Sequence, residues 1–267
     1  MQINTLLQET VDIAQKAGQI ISSRWEKARD IKKKGRIDLV TDTDLAVEAY
    51  LKKALADLMP NADFLAEESA SSLEIGGNKT WIIDPLDGTT NFAHHIPMVA
   101  VSIALWEKHS PLLGVIHLPI LKETFCAAQG QGAHLNGQRI QTTSNVEMEN
   151  ALVATGFPYS IDRDVDEVLA PLRRILVAAR GVRRPGSAAT DLAYLACGRY
   201  DAFYELGLKP WDTAAGLVLV QEAGGRVTRF DGSPYAPGDR DILATNKYMH
   251  PEMVRILKAG DPETKND

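Results

Sequence analysis

The sequence predicts a layered α/β protein, and three observations carry that expectation. The first half sets two amphipathic helical stretches before a run of short apolar segments with a hairpin turn, the pattern of helices laid on an antiparallel sheet. The second half alternates apolar and helical segments. A chain of 267 residues with 45% hydrophobic content can bury a sizeable core, as one large domain or as two closely packed halves. A boundary is expected near Glu147 to Asn150, dividing residues 1–148 from 149–267 within one compact unit.

Ile3, Leu7, Val11, Ala14, Gly18, Ile21 and Trp25 recur every three to four residues, so the chain opens on a long helix with Asn4 available as its cap. The basic cluster Lys27, Arg29, Lys32, Lys33, Lys34 and Arg36 reads as a solvated loop, from which one lysine near Gly35 can approach a ligand. A second helix presents Val47, Tyr50, Leu51, Ala54, Leu55 and Leu58 on one face before Pro60 stops it, and Thr41 with Asp44 matches a capping box at its start. Asn61 to Ala66 reads as a turn and a short strand that delivers the acidic pair Glu67-Glu68. Trp81 to Ile83 form a buried strand with Asp84 at its end, followed by a turn through Pro85 and Gly88 that opens a short helix. Val99 to Trp106 is apolar on both alternating faces, as in a strand covered on two sides. Leu112–Leu118 and Glu123–Ala128 continue as strands, and Asn136-Gly137 ties Ala133–Leu135 to Arg139–Gln141 as a two-residue hairpin.

In the second half a strand at Ala151–Thr155 precedes a helix around Val165–Ala179. Ser187 caps a helix to Cys197 that Gly198 stops, Tyr200–Glu205 is a strand, and Trp211-Asp212 opens a helix to Ala223 ended by Gly224-Gly225. Strands at Arg226–Arg229 and Ile242–Thr245 and a helix near Pro251–Lys258 close the fold, with a frayed polar tail from Gly260.

The balance of 29 Lys and Arg against 35 Asp and Glu disfavours nonspecific binding to nucleic acid or to an anionic membrane. Cys126 and Cys197 lie far apart, which suggests neither a disulfide framework nor a thiolate zinc site and fits a reducing cytoplasm. The N-terminus has no basic region followed by an apolar run, and nothing points to export.

The chemistry gathers where acidic residues stand at element ends: Glu67, Asp84, Asp87 and Asp212, with the Leu86 carbonyl between the two central aspartates. An isolated aspartate usually caps a turn. Asp-x-x-Asp-Gly-Thr-Thr directly after an apolar strand needs several coincidences, and the chemical reading is preferred. These are all oxygen donors, a set suited to magnesium with manganese as a substitute, and the free amides of Gly88, Thr89 and Thr90 suit phosphate. Together they point to hydrolysis of a phosphate ester. Asp44 is compatible both with a helix cap and with a catalytic relay. His94 and His95 lack the context of a phosphohistidine site and read as loop or rim residues.

Three separated motifs, Trp81–Phe92, the preceding Glu67-Glu68-Ser69 and the later Trp211–Gly216, together with Asp38–Thr41, Arg184–Ala189 and Glu222–Gly225, resemble the inositol monophosphatase family nearly end to end. The resemblance implies a five-layer αβαβα sandwich, a homodimer, and a site between the two halves holding two or three magnesium ions. It implies Glu67, Asp84 and the Leu86 carbonyl as ligands of one ion, and Asp84, Asp87 and Asp212 as ligands of another. It further implies Gly88, Thr89 and Thr90 as phosphate contacts, and Glu67 and Thr89, backed by Asp44, as the groups that orient or deprotonate the attacking water. Glu205 and the backbone near Ala189, with Asp212, would meet the hydroxyls of a small phosphorylated polyol, and Lys33 or Lys34 would be the family's flexible lysine. The expected substrate is myo-inositol monophosphate, and lithium sensitivity follows from the same resemblance. Alternatives within the family are fructose 1,6-bisphosphate, 3'-phosphoadenosine 5'-phosphate, NADP and histidinol phosphate. A regulatory binding protein on the same fold, using Arg173, Arg174, Arg180, Arg183 and Arg184, is the reading from another class.

Overall fold

The computed structural model describes residues 2–27, 39–72, 74–75, 77–108 and 110–258, and the backbone of 31–33. Helix α1 (Ile3–Arg24) buries Leu6, Ile13, Ala14, Ala17 and Ile21 as one stripe. It starts earlier than a cap at Asn4 allows: Gln2 is the N-cap residue, and its side chain makes no capping hydrogen bond among the described residues. Strand β1 (Ile31–Lys33) pairs antiparallel with β2 (Leu39–Thr41) where the sequence suggested a loop. A two-stranded ribbon needs no apolar alternation, which is why composition hides it. Lys34, Gly35 and the tail from Gly260 lie outside the described residues, as do Arg29, Arg36 and Asp38, and nothing is described of the Lys33 side chain.

Helix α2 (Asp42–Leu58) starts on the expected capping box: the Thr41 hydroxyl accepts from the Thr43 amide, and Asp44 Oδ2 accepts from the Thr41 amide at 2.8 Å. Its Val47, Leu51 and Leu55 join α1 over the first sheet. That sheet runs in the order β3 (Asp63–Ala66), β4 (Lys79–Asp87), β5 (Ala100–Glu107), β6 (Ser110–Leu118), β7 (Glu123–Ala128), β8 (Gly132–Leu135), β9 (Gln138–Ile140). Only the β3 and β4 pair is parallel among these, a pairing the sequence did not disclose. The central strand is longer than expected. It passes Asp84 and runs through Pro85 to Asp87, because the register against β5 shifts between Asp84 and Asp87 and the bulge accommodates a proline with no amide to donate. Short helix α3 (Thr89–Ala93) follows, entered through Gly88 at φ 90°. At the β8–β9 turn, Asn136 (φ 49°) and Gly137 (φ 79°) both take the left-handed conformations that such a hairpin demands.

The second half builds β10 (Leu152–Thr155), α4 (Ile161–Ala178), β11 (Gly181–Arg183), α5 (Ala188–Ala196), β12 (Ala202–Leu206), α6 (Pro210–Glu222), β13 (Gly225–Thr228), β14 (Asp241–Asn246) and α7 (His250–Lys258). Its mixed sheet has the order β11-β10-β12-β14-β13. Helix α4 begins a turn before Val165, where Asp162 and Asp164 favour the helix start and the Ser160 hydroxyl donates to the Asp164 carboxylate. Strand β11 was not foreseen, since three residues at a sheet edge leave no periodic signal.

The layers follow from these contacts. Helices α1 and α2 cover one face of the large sheet, α5 and α6 fill the space between the sheets, and α4 and α7 cover the far face of the small one. The result is an αβαβα sandwich. Ile82, Ala104 and Ile116 from the first half share one apolar cluster with Leu192, Phe203 and Val218 from the second. Helix α6 lies so close to β6 that a Cβ at Gly114 would press on the Ala215 backbone. This close packing anchors the helix that presents Asp212 at its first turn. Among the described residues no helix is long and apolar enough to cross a membrane.

Candidate active site

The end of β4, the start of α3 and the first turns of α5 and α6 meet at a cavity of about 240 Å³ between the two sheets. Asp87, Gly88, Thr89, Thr90, Glu205 and Asp212 all line it. Gly88 is required at its place: its φ is positive, and a Cβ there would sit 2.7 Å from the Met98 carbonyl oxygen. Asn91 fixes the short helix against the second half, its Nδ2 donating to the carbonyls of Met98 and Pro185 at 2.8 Å each.

The carboxylates are held individually by the protein. Asp84 Oδ1 accepts from the Leu86 amide at 3.0 Å. Asp87 Oδ2 accepts from the Ser187 hydroxyl at 2.6 Å and from the Ala189 amide at 2.7 Å. Asp212 Oδ2 accepts from the Lys209 amide at 2.7 Å. Glu67 lies one residue beyond β3, its amide donating to the Ile83 carbonyl at 3.2 Å, and the adjoining Glu68 amide donates to Glu48 of α2 at 2.8 Å. Glu48 is therefore an anchor of the Glu67 segment that sequence reasoning missed. Ala189 is fully buried with its amide committed to Asp87, and Ser187 and Ala188 line the cavity at that point.

Thr89 and Asp44 come together as the relay reading requires, while the other oxygen of Asp44 completes the capping box with Thr41. The Thr89 hydroxyl lies 3.0 Å from Asp44 Oδ1 and 3.1 Å from the Leu86 carbonyl oxygen, two acceptors for its single proton. His94 and His95 stay exposed, with His95 edge-on to the Trp25 ring at 5.7 Å.

Electrostatics set these acids apart. Burial, reinforced by the charges of Glu67, Asp87 and Asp212, pushes the Asp84 carboxyl well above the usual range, and Asp84 is only 2% exposed. Burial likewise raises Asp212, with Asp87 as its strongest like-charged neighbour. Asp87 is pushed up to about 6 by burial, against the hydrogen bonds from Ser187 and the Ala189 amide. Glu205 is pushed up to about 8 by burial, with Arg184 opposing and Asp87 adding.

A divalent cation would relieve this repulsion. As they stand, no group of three or more acidic, histidine or cysteine side chains among the described residues is placed to hold a metal ion, and Asp84, Asp87 and Asp212 each have one carboxylate oxygen engaged by a protein donor. The donor set nonetheless fits a hard cation: oxygen-only groups, mutually repelling and withdrawn from water. A stability test follows. The folded values of Asp87 and Glu205 lie above those of an unfolded chain, so the folded state holds these protons more tightly. Their contribution is present at low pH and is lost as pH rises through about 6 and then about 8. Chelator-treated protein should melt at a higher temperature at pH 6 than at pH 8.5, and saturating magnesium should shrink that difference; a melting temperature that climbs with pH in the chelated protein would contradict it.

Sequence reasoning also did not place three groups at the cavity, Arg184 among them although its motif was noted. Arg184 rests its guanidinium 5.3 Å over the Phe157 ring. Gly156 lies against Glu205 so closely that a Cβ would collide with the carboxylate. Asp191, fully buried in α5, lines the same cavity. The Arg184–Ala189 motif was the available signal for the first of these; the other two are long-range contacts with no local signature.

A family model described as the inositol monophosphatase family matches residues 2–260. Over 258 residues the chain is 41% identical to the inositol-1-monophosphatase of Synechocystis sp., covering 96% of this chain and 90% of that protein. It is 37% identical to the Nus factor SuhB of Salmonella typhimurium over 267 residues, 99% of this chain and 98% of the relative. The solved structure of inositol monophosphatase from Anabaena (Nostoc) sp. superposes with a TM-score of 0.87 at 36% identity, covering 96% of each chain.

Proposed function

This chain belongs to the inositol monophosphatase family of metal-dependent phosphatases, and from that premise we propose that it is a magnesium-dependent phosphomonoesterase that hydrolyses myo-inositol monophosphate to inositol and phosphate. The observation that carries the reading is the meeting of Asp87 and Asp212, the Gly88–Thr90 turn and Glu205 around one small cavity. Glu67, Asp84, Asp87, Asp212 and the Leu86 carbonyl would hold two or three magnesium ions, with manganese as a substitute. Magnesium, when bound, lowers the pKa of water and offsets charge on the departing oxygen. The amides of Gly88, Thr89 and Thr90 hold the phosphate. Glu67 and Thr89 orient the attacking water, and the Thr89 hydroxyl can take its proton while passing its own to Asp44 Oδ1. Glu205 accepts from or donates to the hydroxyls of the polyol, as its protonation dictates.

A panel of esters assayed with magnesium tests the substrate: inositol 1-phosphate, fructose 1,6-bisphosphate, 3'-phosphoadenosine 5'-phosphate, NADP and histidinol phosphate. The highest kcat/KM is expected on the inositol ester, and a tenfold or larger preference for any other would transfer the assignment to that compound. On the inositol ester, lithium at millimolar levels should inhibit by competing for a cation position; rates unchanged by lithium would remove that element of the proposal.

The homodimer stays within the proposal, supported by the apolar residues Val165, Leu169, Leu176 and Val177 that α4 leaves exposed. A cytoplasmic setting also stays within it. The similarity to a Nus factor supports an added regulatory role as a second reading. Two of the arginines that would form such a surface are partly committed within the fold: Arg174 Nε donates to the Ile256 carbonyl at 2.8 Å, and Arg180 donates to the Asn150 side chain.

A further inference from the structure

Asp191 lines the cavity and takes no part in the mechanism above. It stands in the first turns of α5, a helix of nine residues that are all buried and otherwise Ala, Leu, Tyr and Thr. The residue is 1% exposed, and its Oδ1 is buried with no hydrogen-bond partner among the described residues. Folded proteins seldom leave such an atom unpaired, because the lost hydration is not returned. The helix N-terminus favours an acid there, but Ser187 already caps it by accepting from the Thr190 amide at 3.2 Å. An apolar residue of similar volume would fill the same space at lower cost. Arg184 partly offsets the acid's charge, but Oδ1 still lacks a hydrogen-bond donor, and the cavity is where one can arrive.

Its surroundings say what kind of partner. Glu205 lines the same cavity with its carboxylate against Gly156, and its charge is the neighbour that Asp191 feels most strongly. The phosphate-binding turn Gly88–Thr90 also borders the space. Resting on the polyol-phosphatase reading, we propose that Asp191 is a specificity-determining residue, a second carboxyl group that reads a hydroxyl neighbouring the one read by Glu205. The last torsion of aspartate is soft, so either oxygen can turn toward the cavity. A carboxyl group meets a hydroxyl in either protonation state, as acceptor when ionised and as donor or acceptor when neutral. Two acids facing one ligand suit adjacent hydroxyls on a ring, which narrows the substrate class to phosphate esters of vicinal polyols.

The test compares wild type, Asp191→Leu and Asp191→Asn, with magnesium, on myo-inositol 1-phosphate, on deoxyinositol phosphates lacking single ring hydroxyls, and on p-nitrophenyl phosphate. Asp191→Leu should lower kcat/KM on the inositol ester roughly ten- to hundredfold and leave the aryl ester within about twofold. It should also cease to distinguish inositol phosphate from one particular deoxy isomer, while melting no lower than wild type. Equal losses on the inositol and aryl esters, or an unaltered ranking of the deoxy esters, would overturn the role of Asp191. If the leucine variant does not fold, Asp191→Asn decides by the same ranking, since an amide presents different donors and acceptors to the ring. A wild type that favours the aryl ester over every polyol ester would instead overturn the polyol reading from its own row, before any variant is considered.

Discussion

Asp84→Asn and Asp212→Asn are each expected to lower kcat by about a thousandfold or more on every phosphate ester tried, because each removes a carboxylate proposed to hold the cation, and losing such a ligand forfeits several kcal/mol of transition-state stabilisation. Asp84 is the stronger case. Its charge is opposed by those of Glu67, Asp87 and Asp212 together, the repulsion a bound cation would offset. The same substitution removes one negative charge from a buried group of acids that repel one another, and the cation-free variant should melt no lower than cation-free wild type. Loss of rate without loss of stability separates this outcome from simple misfolding. A variant that keeps more than about a tenth of the wild-type rate at ordinary magnesium would exclude that residue from the cation site.

Glu205→Leu should separate substrate choice from chemistry. It removes hydrogen bonding from a side chain that is 8% exposed and walls the cavity, leaving a ring hydroxyl unpaired in a dry place. The expected loss on inositol phosphate is roughly ten- to hundredfold in kcat/KM, equivalent to about 1.4–2.8 kcal/mol. A hydroxyl-poor aryl phosphate should change far less, since the proposed phosphate contacts at the Gly88–Thr90 turn are untouched by the substitution. Because burial pushes Glu205 up to about 8, the wild-type group is a neutral acid below that pH. Glu205→Gln, a neutral group of nearly the same shape, should therefore be mild at pH 7 and more damaging at pH 9. Equal losses from Glu205→Leu on both esters would show that Glu205 supports the whole centre.

How much of this was legible in the sequence depends on range. The Asp84–Thr90 segment was readable because its elements are contiguous: an apolar strand, two acids three apart, and a glycine whose φ of 90° the turn requires. The caps at Thr41 and Ser187 were readable for the same reason, since capping is a contact over two or three residues. Pro85 misled by marking the strand's end, when a bulge lets the strand continue to Asp87. The parallel pairing of β3 with β4 joins segments separated by more than a dozen residues, which periodicity does not report. Asp191 was hidden by its setting: an acid in the first turns of an apolar helix reads as an ordinary response to the helix dipole. Its unpaired oxygen and its place beside Glu205 exist only after α5 is packed between the sheets.

Phosphate release from myo-inositol 1-phosphate by chelator-stripped protein, measured before and after magnesium is restored, bears on the central claim most directly. The expected result is no turnover in the stripped protein and recovery of turnover on adding magnesium, with no recovery in Asp84→Asn. Full turnover without a divalent cation, or none after magnesium returns to a folded protein, would contradict it.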